Sequence, residues 1–336
     1  KPLVPQKTKA FLAIVLDVSH QSYSGPGIPF EAHVLMALKQ GASFAEIEEY
    51  NIVSNGKSDG FIALYDENFN LDWIVNVGGT EHEVIDQVAQ VGNYIVVAGH
   101  TMSSVAYQLN GQTITQAIFV TLLDLDGNIL WTKIYAGDHE ELVQGIAIGL
   151  LGEIYIGGST TSTDGVFTSP NQEYEKVFVF ELDVSGTLQN SIFIDDVGNE
   201  QLTDIKVDST GLVYILTQNP TFNVFSKVTI TDMTNIIDTM TYNDIILHEL
   251  FITADDEFIL AGKQNQVGSV LPYFFVKTYD DQWVEQQTIQ LPYYTKSIGD
   301  IHLSADGDLM VEVYNANDQQ LYVVKLLANG TQGSSW

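Results

Sequence analysis

The chain has 336 residues and contains 43 Asp and Glu against 13 Lys and Arg, a formal net charge of −30 at pH 7. A surface of this sign repels phosphate backbones and anionic lipid headgroups, which argues against a nucleic-acid-binding protein and against docking on an anionic membrane. It suits solubility, divalent cations and basic partners. Cysteine is absent, which excludes disulfide bonds, thiolate chemistry and zinc sites built on cysteine.

The apolar content is sufficient for a folded core, because 45% of the residues are hydrophobic and 11% are aromatic. No run of about 18 apolar residues is present, so the sequence predicts no membrane span. The N-terminal segment KAFLAIVLDV (9–18) is too short to cross a bilayer and is interrupted by Asp17. A chain that begins at Lys1 without Met leads us to expect a mature or excised product.

A strand pattern recurs along the chain at intervals of about 50 to 60 residues, which indicates a repeat architecture. Each unit has an apolar strand, a polar turn rich in Asp, Asn and Gly, and a second strand, which is the pattern of a β-hairpin. The hairpins begin at Phe61, Phe119, Phe178, Lys227, Phe275 and Tyr322. A further pair of strands lies between successive hairpins, as in VIDQVAQVGNYIVVAGHT (84–101).

Four antiparallel strands per unit, repeated along the chain, predict an all-β protein with the fold of a β-propeller. We count six blades, with approximate boundaries 30–79, 80–137, 138–196, 197–244, 245–295 and 296–336. The orphan strand 10–18 is predicted to close the ring as the outer strand of the C-terminal blade. Seven blades is the alternative, because 11–17 also resembles a hairpin strand. Residues 30–50 show some helical spacing, but their place in the repeat favours two inner strands.

The unit that preserves the repeat best runs from Phe119 to Ser162, and it resembles a bacterial β-propeller repeat known as SBBP. The resemblance depends on Phe119, Asp124, Gly127, Asn128, Trp131, Gly137, Glu140, Tyr155, Gly158 and Thr160. The preceding unit matches at Phe61, Asp66, Trp73, Gly78, Gly79, Glu83, Ala98, Gly99 and Thr101, and the likeness fades beyond residue 200. It implies an extracellular or surface-displayed bacterial protein, and this family has no common catalytic residues to carry over.

Acidic connections join the outer strand of one blade to the inner strand of the next, as in GGTEHEV (78–84), AGDHEEL (136–142) and DDVGNEQL (195–202). One interpretation is that these residues only solvate a turn in which Gly supplies backbone freedom. The other is a calcium site, since Ca²⁺ takes several carboxylate or carbonyl oxygens. Its candidate ligands are Glu81, Glu83, Asp138, Glu140, Asp195, Asp196 and Glu200. Calcium is therefore the one candidate cofactor.

Two motif-like stretches do not support a metal enzyme or a calcium-binding helical loop. HEVID (82–86) lacks the second histidine and the helix that an H-E-x-x-H zinc site requires. DLDGN (124–128) resembles the start of an EF-hand loop, but the distal Glu and the following helix are missing. The hairpin pattern therefore predicts a simple turn at 124–128.

Loop aromatics and inner-strand polar residues are the remaining candidates for ligand contact. Aromatic side chains beside polar groups suit sugars and protein partners. The candidates are Tyr107 and Tyr174 in loops and the inner-strand acids Asp86, Asp204, Glu249 and Asp300. Three histidines, at 33, 248 and 302, also fall on inner strands. Trp73, Trp131 and Trp283 follow hairpin turns, so they are predicted to pack within blades.

The sequence predicts a non-catalytic recognition or adhesion module, secreted or at a bacterial cell surface, that binds a protein or glycan through one loop face. It would act as a monomer or as one domain of a larger surface protein. The alternative is a polysaccharide- or glycan-active hydrolase or lyase that uses acids at the channel mouth. A glycosidase of that kind needs two carboxyl groups about 5 to 10 Å apart in a cleft.

Overall fold

The computed structural model describes residues 16–19, 58–65, 71–103, 116–168, 175–194, 200–219, 225–253, 255–264, 272–304, 308–315, 320–326 and 332–335. Within these ranges the regular structure is β-strand, apart from a single 3₁₀ turn at Gly165–Phe167. The chain divides into two compact units. The first contains Lys1–Ile146, Thr160–Gln172 and Leu182–Leu188, and the second contains Ala147–Ser159, Glu173–Glu181 and Gln189–Trp336.

The N-terminal sheets of the chain are antiparallel, with strands in chain order. The first sheet has three described strands, β1 (Leu16–Ser19), β2 (Ser58–Tyr65) and β3 (Leu71–Val77). The second has four strands, β4 (Glu83–Val91), β5 (Tyr94–Thr101), β6 (Ala117–Asp124) and β7 (Ile129–Tyr135). The next sheet contains β8 (Glu141–Ile148), β9 (Ile154–Thr160), β10 (Lys176–Leu182) and β11 (Leu188–Ile194).

The same pattern continues to the C-terminus. One sheet contains β12 (Gln201–Val207), β13 (Val213–Asn219), β14 (Phe225–Thr231) and β15 (Ile236–Asn243). The last strands are β16 (Ile245–Ile252), β17 (Phe258–Gln264), β18 (Tyr273–Tyr279), β19 (Glu285–Leu303), β20 (Leu309–Asn315), β21 (Gln320–Leu326) and β22 (Gln332–Ser335). The long β19 pairs with β18 up to Tyr294 and with β20 from Thr295 onward. This repetition of four antiparallel strands is that of a propeller-like all-β fold.

The N-terminal strand has a different partner from the one predicted. Leu16 lies opposite Phe61 and Ser19 lies opposite Ser58, so β1 pairs with β2 and not with the C-terminal sheet. The C-terminal sheet obtains a fourth strand from β22, which pairs with β21. A strand from the N-terminus is therefore not needed to complete it. The other predictions for this region concern residues 10–15 and 30–50, which lie outside the described residues.

Burial follows the position of a strand within its sheet. Strand β6 is buried from Ala117 to Leu123, whereas the outer strand β11 alternates half-buried and exposed residues from Leu188 to Ser191. The core of the first unit includes Ile62, Ile95 and Phe119. The core clusters of the second unit contain larger side chains, among them Tyr214, Phe258 and Phe275. A central strand that is buried on both faces requires a continuous apolar run. An outer strand that is buried on one face requires alternation of apolar and polar residues.

The hairpin turns are fixed by the aspartate that ends the third strand. Asp124 Oδ1 accepts hydrogen bonds from the backbone N–H of Asp126 (3.0 Å) and Asn128 (2.8 Å), and Gly127 has a φ of 85°. Its carboxylate is thus used within the turn, as the hairpin prediction for 124–128 requires. Asp183 makes the equivalent bonds to Ser185 and Thr187 in the following sheet.

Candidate functional site

Glu83 is the centre of a buried polar cluster at the connection between β3 and β4. The side chain is only 3% exposed, although a carboxylate is costly to bury. Its oxygens accept hydrogen bonds from the hydroxyls of Thr101 (2.6 Å) and Ser103 and from the backbone N–H of Gly79 (2.7 Å). The carboxylate therefore ties the end of β5 to the connecting turn.

Ser103 and Thr101 are fixed by further hydrogen bonds. Ser103 Oγ accepts from the backbone N–H of Thr80 (2.9 Å) and Glu81 (3.0 Å), and Thr101 Oγ1 accepts from the Ser103 N–H (3.0 Å). The connection is thus a closed network in which each hydroxyl donates once and accepts at least once. Because these groups are already hydrogen-bonded, the cluster is rigid and preorganised.

The second acidic connection repeats this arrangement around Glu141. Glu141 is 0% exposed and accepts hydrogen bonds from the hydroxyls of Ser162 and Thr160 (3.3 Å). Burial raises the pKa of Glu141 from 4.5 to about 7, although the hydrogen bond from Ser162 acts in the opposite direction. Oε2 of this carboxyl has no hydrogen-bond partner.

This arrangement corrects the sequence analysis, which matched Glu83 with Glu140 and omitted Glu141. Glu140 is exposed, and its neighbour Glu141 occupies the buried position. The signal was present in the sequence: a glutamate four residues after Gly79 or Gly137, and a Thr-x-Ser after the following strand. The glycines also have a different role from the one expected. Gly79 and Gly137 do not have positive φ, but a Cβ there would collide with Ser103 and Ser162.

In the third connection the buried glutamate is paired with a lysine. Glu200 is fully buried, and its Oε1 lies 3.1 Å from Nζ of Lys227 on β14. Burial lowers the pKa of Lys227. The three buried glutamates thus occupy the start of an inner strand in three consecutive sheets, and each one ties that strand to its neighbours.

A pocket of about 360 Å³ opens beside Glu83. Its apolar wall is formed by Val77, Phe119, Ile129 and Ile134, and Asn76, Thr101, Ser103 and Thr132 contribute polar groups. Gly78 and Gly79 form part of the rim. A concave site of this size with an apolar lining and a few convergent polar groups has the general form of a small-ligand pocket.

The other candidate calcium ligands do not join Glu83. The backbone of Glu81 bonds to Ser103, and Glu140 is exposed to solvent. Asp138 accepts hydrogen bonds from the backbone N–H (2.7 Å) and the hydroxyl (2.9 Å) of Thr163. Within the described residues, no three His, Asp or Glu side chains are grouped so that they could hold a metal ion. Asp195 and Asp196 lie outside the described residues.

The hydrogen bonds of Asp138 determine its protonation. Desolvation is the largest single influence and raises its pKa, but the N–H of Thr163, the side chain of His139 and the hydroxyl of Thr163 together outweigh it and lower the pKa to about 2. His139 Nδ1 lies 3.1 Å from the carboxylate. Asp138 therefore remains ionised at neutral pH and closes its own turn.

The inner-strand candidates have separate surroundings. Asp86 lies at a β-bulge of β4, and its Oδ2 is 2.8 Å from Nδ1 of His100. Asp204 accepts a hydrogen bond from the backbone N–H of Leu250 (2.9 Å) and pairs with Lys206 at 2.6 Å, so it links β12 to β16. Glu249 is half-buried opposite Ala261.

The remaining candidates are only partly described. Asp300 lies in β19, and its side chain is outside the described residues, as are Tyr107, Tyr174 and His33. His248 occupies the bulge of β16, where burial and nearby Lys263 lower its pKa to about 4, so it is neutral at physiological pH. His302 is exposed.

The tryptophans predicted to pack within blades make two kinds of contact, and Trp73 and Trp131 each bond to a turn of the following sheet. Trp73 Nε1 donates to the carbonyl oxygen of Leu125 (2.9 Å), and Trp131 Nε1 donates to that of Val184 (3.0 Å). Trp283 instead lies within a turn at a φ of 59° and stacks on Phe258, with ring centroids 4.3 Å apart. Trp283 therefore packs on a side chain of its own sheet, as predicted.

Comparison with known proteins shows similarity in fold. No protein-family model and no curated protein matches the sequence. A solved puromycin hydrolase is 8% identical with a TM-score of 0.53; the match covers 83% of this chain but only 43% of that protein. A protein of unknown function from Bacteroides caccae is 10% identical with a TM-score of 0.48, over 84% of this chain and 91% of that one. The likeness to the puromycin hydrolase supports the fold alone. Across its described residues the chain has no helix long and apolar enough to cross a membrane.

Proposed function

We propose that this protein is a non-catalytic recognition module that binds a protein or glycan partner through the pocket beside Glu83. The pocket carries the proposal, because it combines an apolar wall with preorganised polar groups on a rigid scaffold. A small concave site of this kind recognises one side chain or one sugar ring of a larger partner.

The use of the repeated residues supports a scaffold with a recognition role. The carboxyl groups of Glu141 and Asp124 accept hydrogen bonds that hold turns, and Trp131 Nε1 donates to the carbonyl oxygen of Val184 in another turn. Residues that the repeat preserves therefore stabilise the sheets, and the loops and the pocket are left to determine what is bound. We take β16–β19 and β19–β22 as separate blades because β19 changes partner after Tyr294, and together with the four preceding sheets this gives the count of six.

Location and assembly follow from the resemblance to SBBP repeats and from the charge. We place the protein outside the bacterial cytoplasm, secreted or at the cell surface, as a monomer or as one domain of a larger surface protein. A net charge of −30 would keep such a protein soluble and would attract basic partners.

The binding role can be tested with a glycan array and a peptide array, using the wild type and Ile129→Trp. Ile129 lines the pocket and is 44% exposed, so a larger side chain fills the pocket without disturbing the core. We expect array ligands that the wild type retains and the variant loses. If both proteins retain the same array ligands, recognition occurs at another surface. Release of reducing ends from a polysaccharide would overturn the non-catalytic assignment.

One observation favours the alternative of a hydrolase or lyase. His100 is oriented by Asp86, and a histidine positioned by a carboxylate can serve as a general base. The discriminating experiment is to incubate a polysaccharide panel with the wild type and His100→Ala. Turnover by the wild type that is abolished in the variant would establish the enzyme.

Calcium assistance is tested separately by thermal unfolding in calcium and in EDTA. Binding to the folded state raises the unfolding midpoint by mass action. Glu81→Gln and Glu140→Gln should abolish such a rise if the predicted connections supply ligands. An unchanged midpoint at millimolar calcium would reject a specific site.

A further inference from the structure

The pocket beside Glu83 is bordered by two buried carboxylates. Glu83 forms part of its wall and is 3% exposed. Asp59 is 2% exposed and lies directly behind the rim, because a Cβ on Gly78 would collide with its carboxyl group. Asn76, which also lines the pocket, donates a hydrogen bond of 2.7 Å to Asp59. Two carboxyl groups thus lie at the polar end of the pocket.

The donors that hold Glu83 are all neutral. The hydroxyls of Thr101 and Ser103 and the N–H of Gly79 stabilise the carboxylate without cancelling its charge. Among the described residues that line the pocket there is no Lys, Arg or His. In a partly desolvated site the Coulomb interaction is much stronger than in water, so an anionic ligand is repelled and a cationic one is attracted.

The remaining walls define the rest of the ligand. Val77, Phe119 and Ile134 present apolar surface, which a hydrated metal ion would not use. A side chain with an apolar stem and a charged tip would bury the stem against these residues and place the tip at Glu83. Lysine has this form: a four-carbon stem and a compact ammonium group with three donors.

The homologous connection at Glu141 has the same hydroxyl pair holding its carboxyl. There the segment Gly165–Phe167 lies against Ala136 and Gly137, and Phe167 is fully buried. The glutamate cluster by itself is therefore a structural element. The pocket lies next to Glu83, and Glu141 supplies a matched control for the loss of a buried glutamate.

We propose that the pocket beside Glu83 binds a primary ammonium group on an apolar stem, specifically a lysine side chain of a protein partner. This inference rests on the proposed recognition function and names its ligand class. The stem packs against Phe119 and Ile134, and the ammonium group donates to Glu83 and to the side-chain oxygen of a pocket residue such as Thr132.

The test is ligand-observed saturation-transfer NMR with Nα-acetyl-lysine methylamide, at about 150 mM salt to screen long-range attraction to the acidic surface. We expect saturation of the lysine methylenes, displacement by n-butylamine, and no response from the norleucine analogue, which lacks the ammonium group. Glu83→Gln should weaken binding by about tenfold or more, as expected for loss of a hydrogen bond to a charged partner. Glu141→Gln should bind like the wild type.

Other outcomes have definite meanings. Equal responses from the lysine and norleucine analogues, or equal losses in Glu83→Gln and Glu141→Gln, would overturn the proposal. If Glu83→Gln does not fold, Ile129→Trp fills the pocket while leaving Glu83 in place, and unchanged lysine binding by that variant would also overturn it. If the arrays yield a glycan ligand that Ile129→Trp loses, while the lysine amide does not bind, the recognition function stands and the ligand class is wrong.

Discussion

Glu141→Gln should remove a specific pH dependence from the stability of the protein. Glu141 is fully buried, and its pKa rises from 4.5 to about 7 because burial disfavours the charged form. The folded protein then binds a proton more tightly than the unfolded chain does. Stability from this group is fully present below pH 4.5 and is lost as the pH rises towards 7.

The magnitude follows from the shift of the pKa. One pKa unit corresponds to about 1.4 kcal/mol, so a rise from 4.5 to about 7 corresponds to roughly 3 kcal/mol of unfolding free energy between acidic and neutral pH. An amide at this position is uncharged at every pH. It preserves an acceptor for the hydroxyls of Ser162 and Thr160.

Urea denaturation of the wild type and Glu141→Gln at pH 4.5, 6 and 8 measures the effect. The free energy of unfolding of the variant, relative to that of the wild type, should increase by roughly 3 kcal/mol between pH 4.5 and 8. Because only the change in unfolding free energy with pH is compared, any destabilisation by the unpartnered amide that does not depend on pH cancels. Glu140→Gln is the control, because that neighbouring side chain is exposed. Parallel pH profiles for the wild type and Glu141→Gln would refute the reasoning.

Three further variants test the structural roles of the connections and turns, each measured by urea denaturation. Gly79→Ala should destabilise the protein by about 1 to 3 kcal/mol, because the added Cβ would collide with Ser103. Gly92→Ala is the control: its Cβ meets open space, so its destabilisation is limited to the backbone strain of a φ of 56°. Lys227→Met should cost about 3 to 5 kcal/mol by leaving Glu200 charged without its lysine, and the double change with Glu200→Gln should recover part of that loss. Asp124→Ala should lower the urea midpoint through the lost turn hydrogen bonds, and an unchanged midpoint would show that Gly127 and Asn128 alone fix the turn.

Local pattern was sufficient to predict the repeated strands and the turns between them. Alternation of apolar and polar residues depends only on the two faces of a strand, and the Asp-x-x-Gly-Asn turn at 124–128 bonds within itself. Such features involve residues a few positions apart. The all-β class and the four-strand unit were therefore determined by the sequence.

The partner of the N-terminal strand was decided only by the tertiary structure. The segment 16–19 has the composition of a strand, but nothing in it distinguishes β2 from the C-terminal sheet as its neighbour. Strand pairing between distant segments depends on which edges are left open once every other strand has paired. The sequence does not record that information locally.

The identity of the buried acid was also decided by the fold. Glu140 and Glu141 are adjacent and chemically identical, yet one is exposed and the other is fully buried. Successive residues of a strand point to opposite faces, so a shift of one residue in the alignment exchanges solvent for core. The sequence determined that acids occur at these connections. Which acid became part of the core was determined by the register of the strand and by the hydroxyls that converge on the carboxyl group. The opening beside Glu83 determined where a ligand can reach a buried acid.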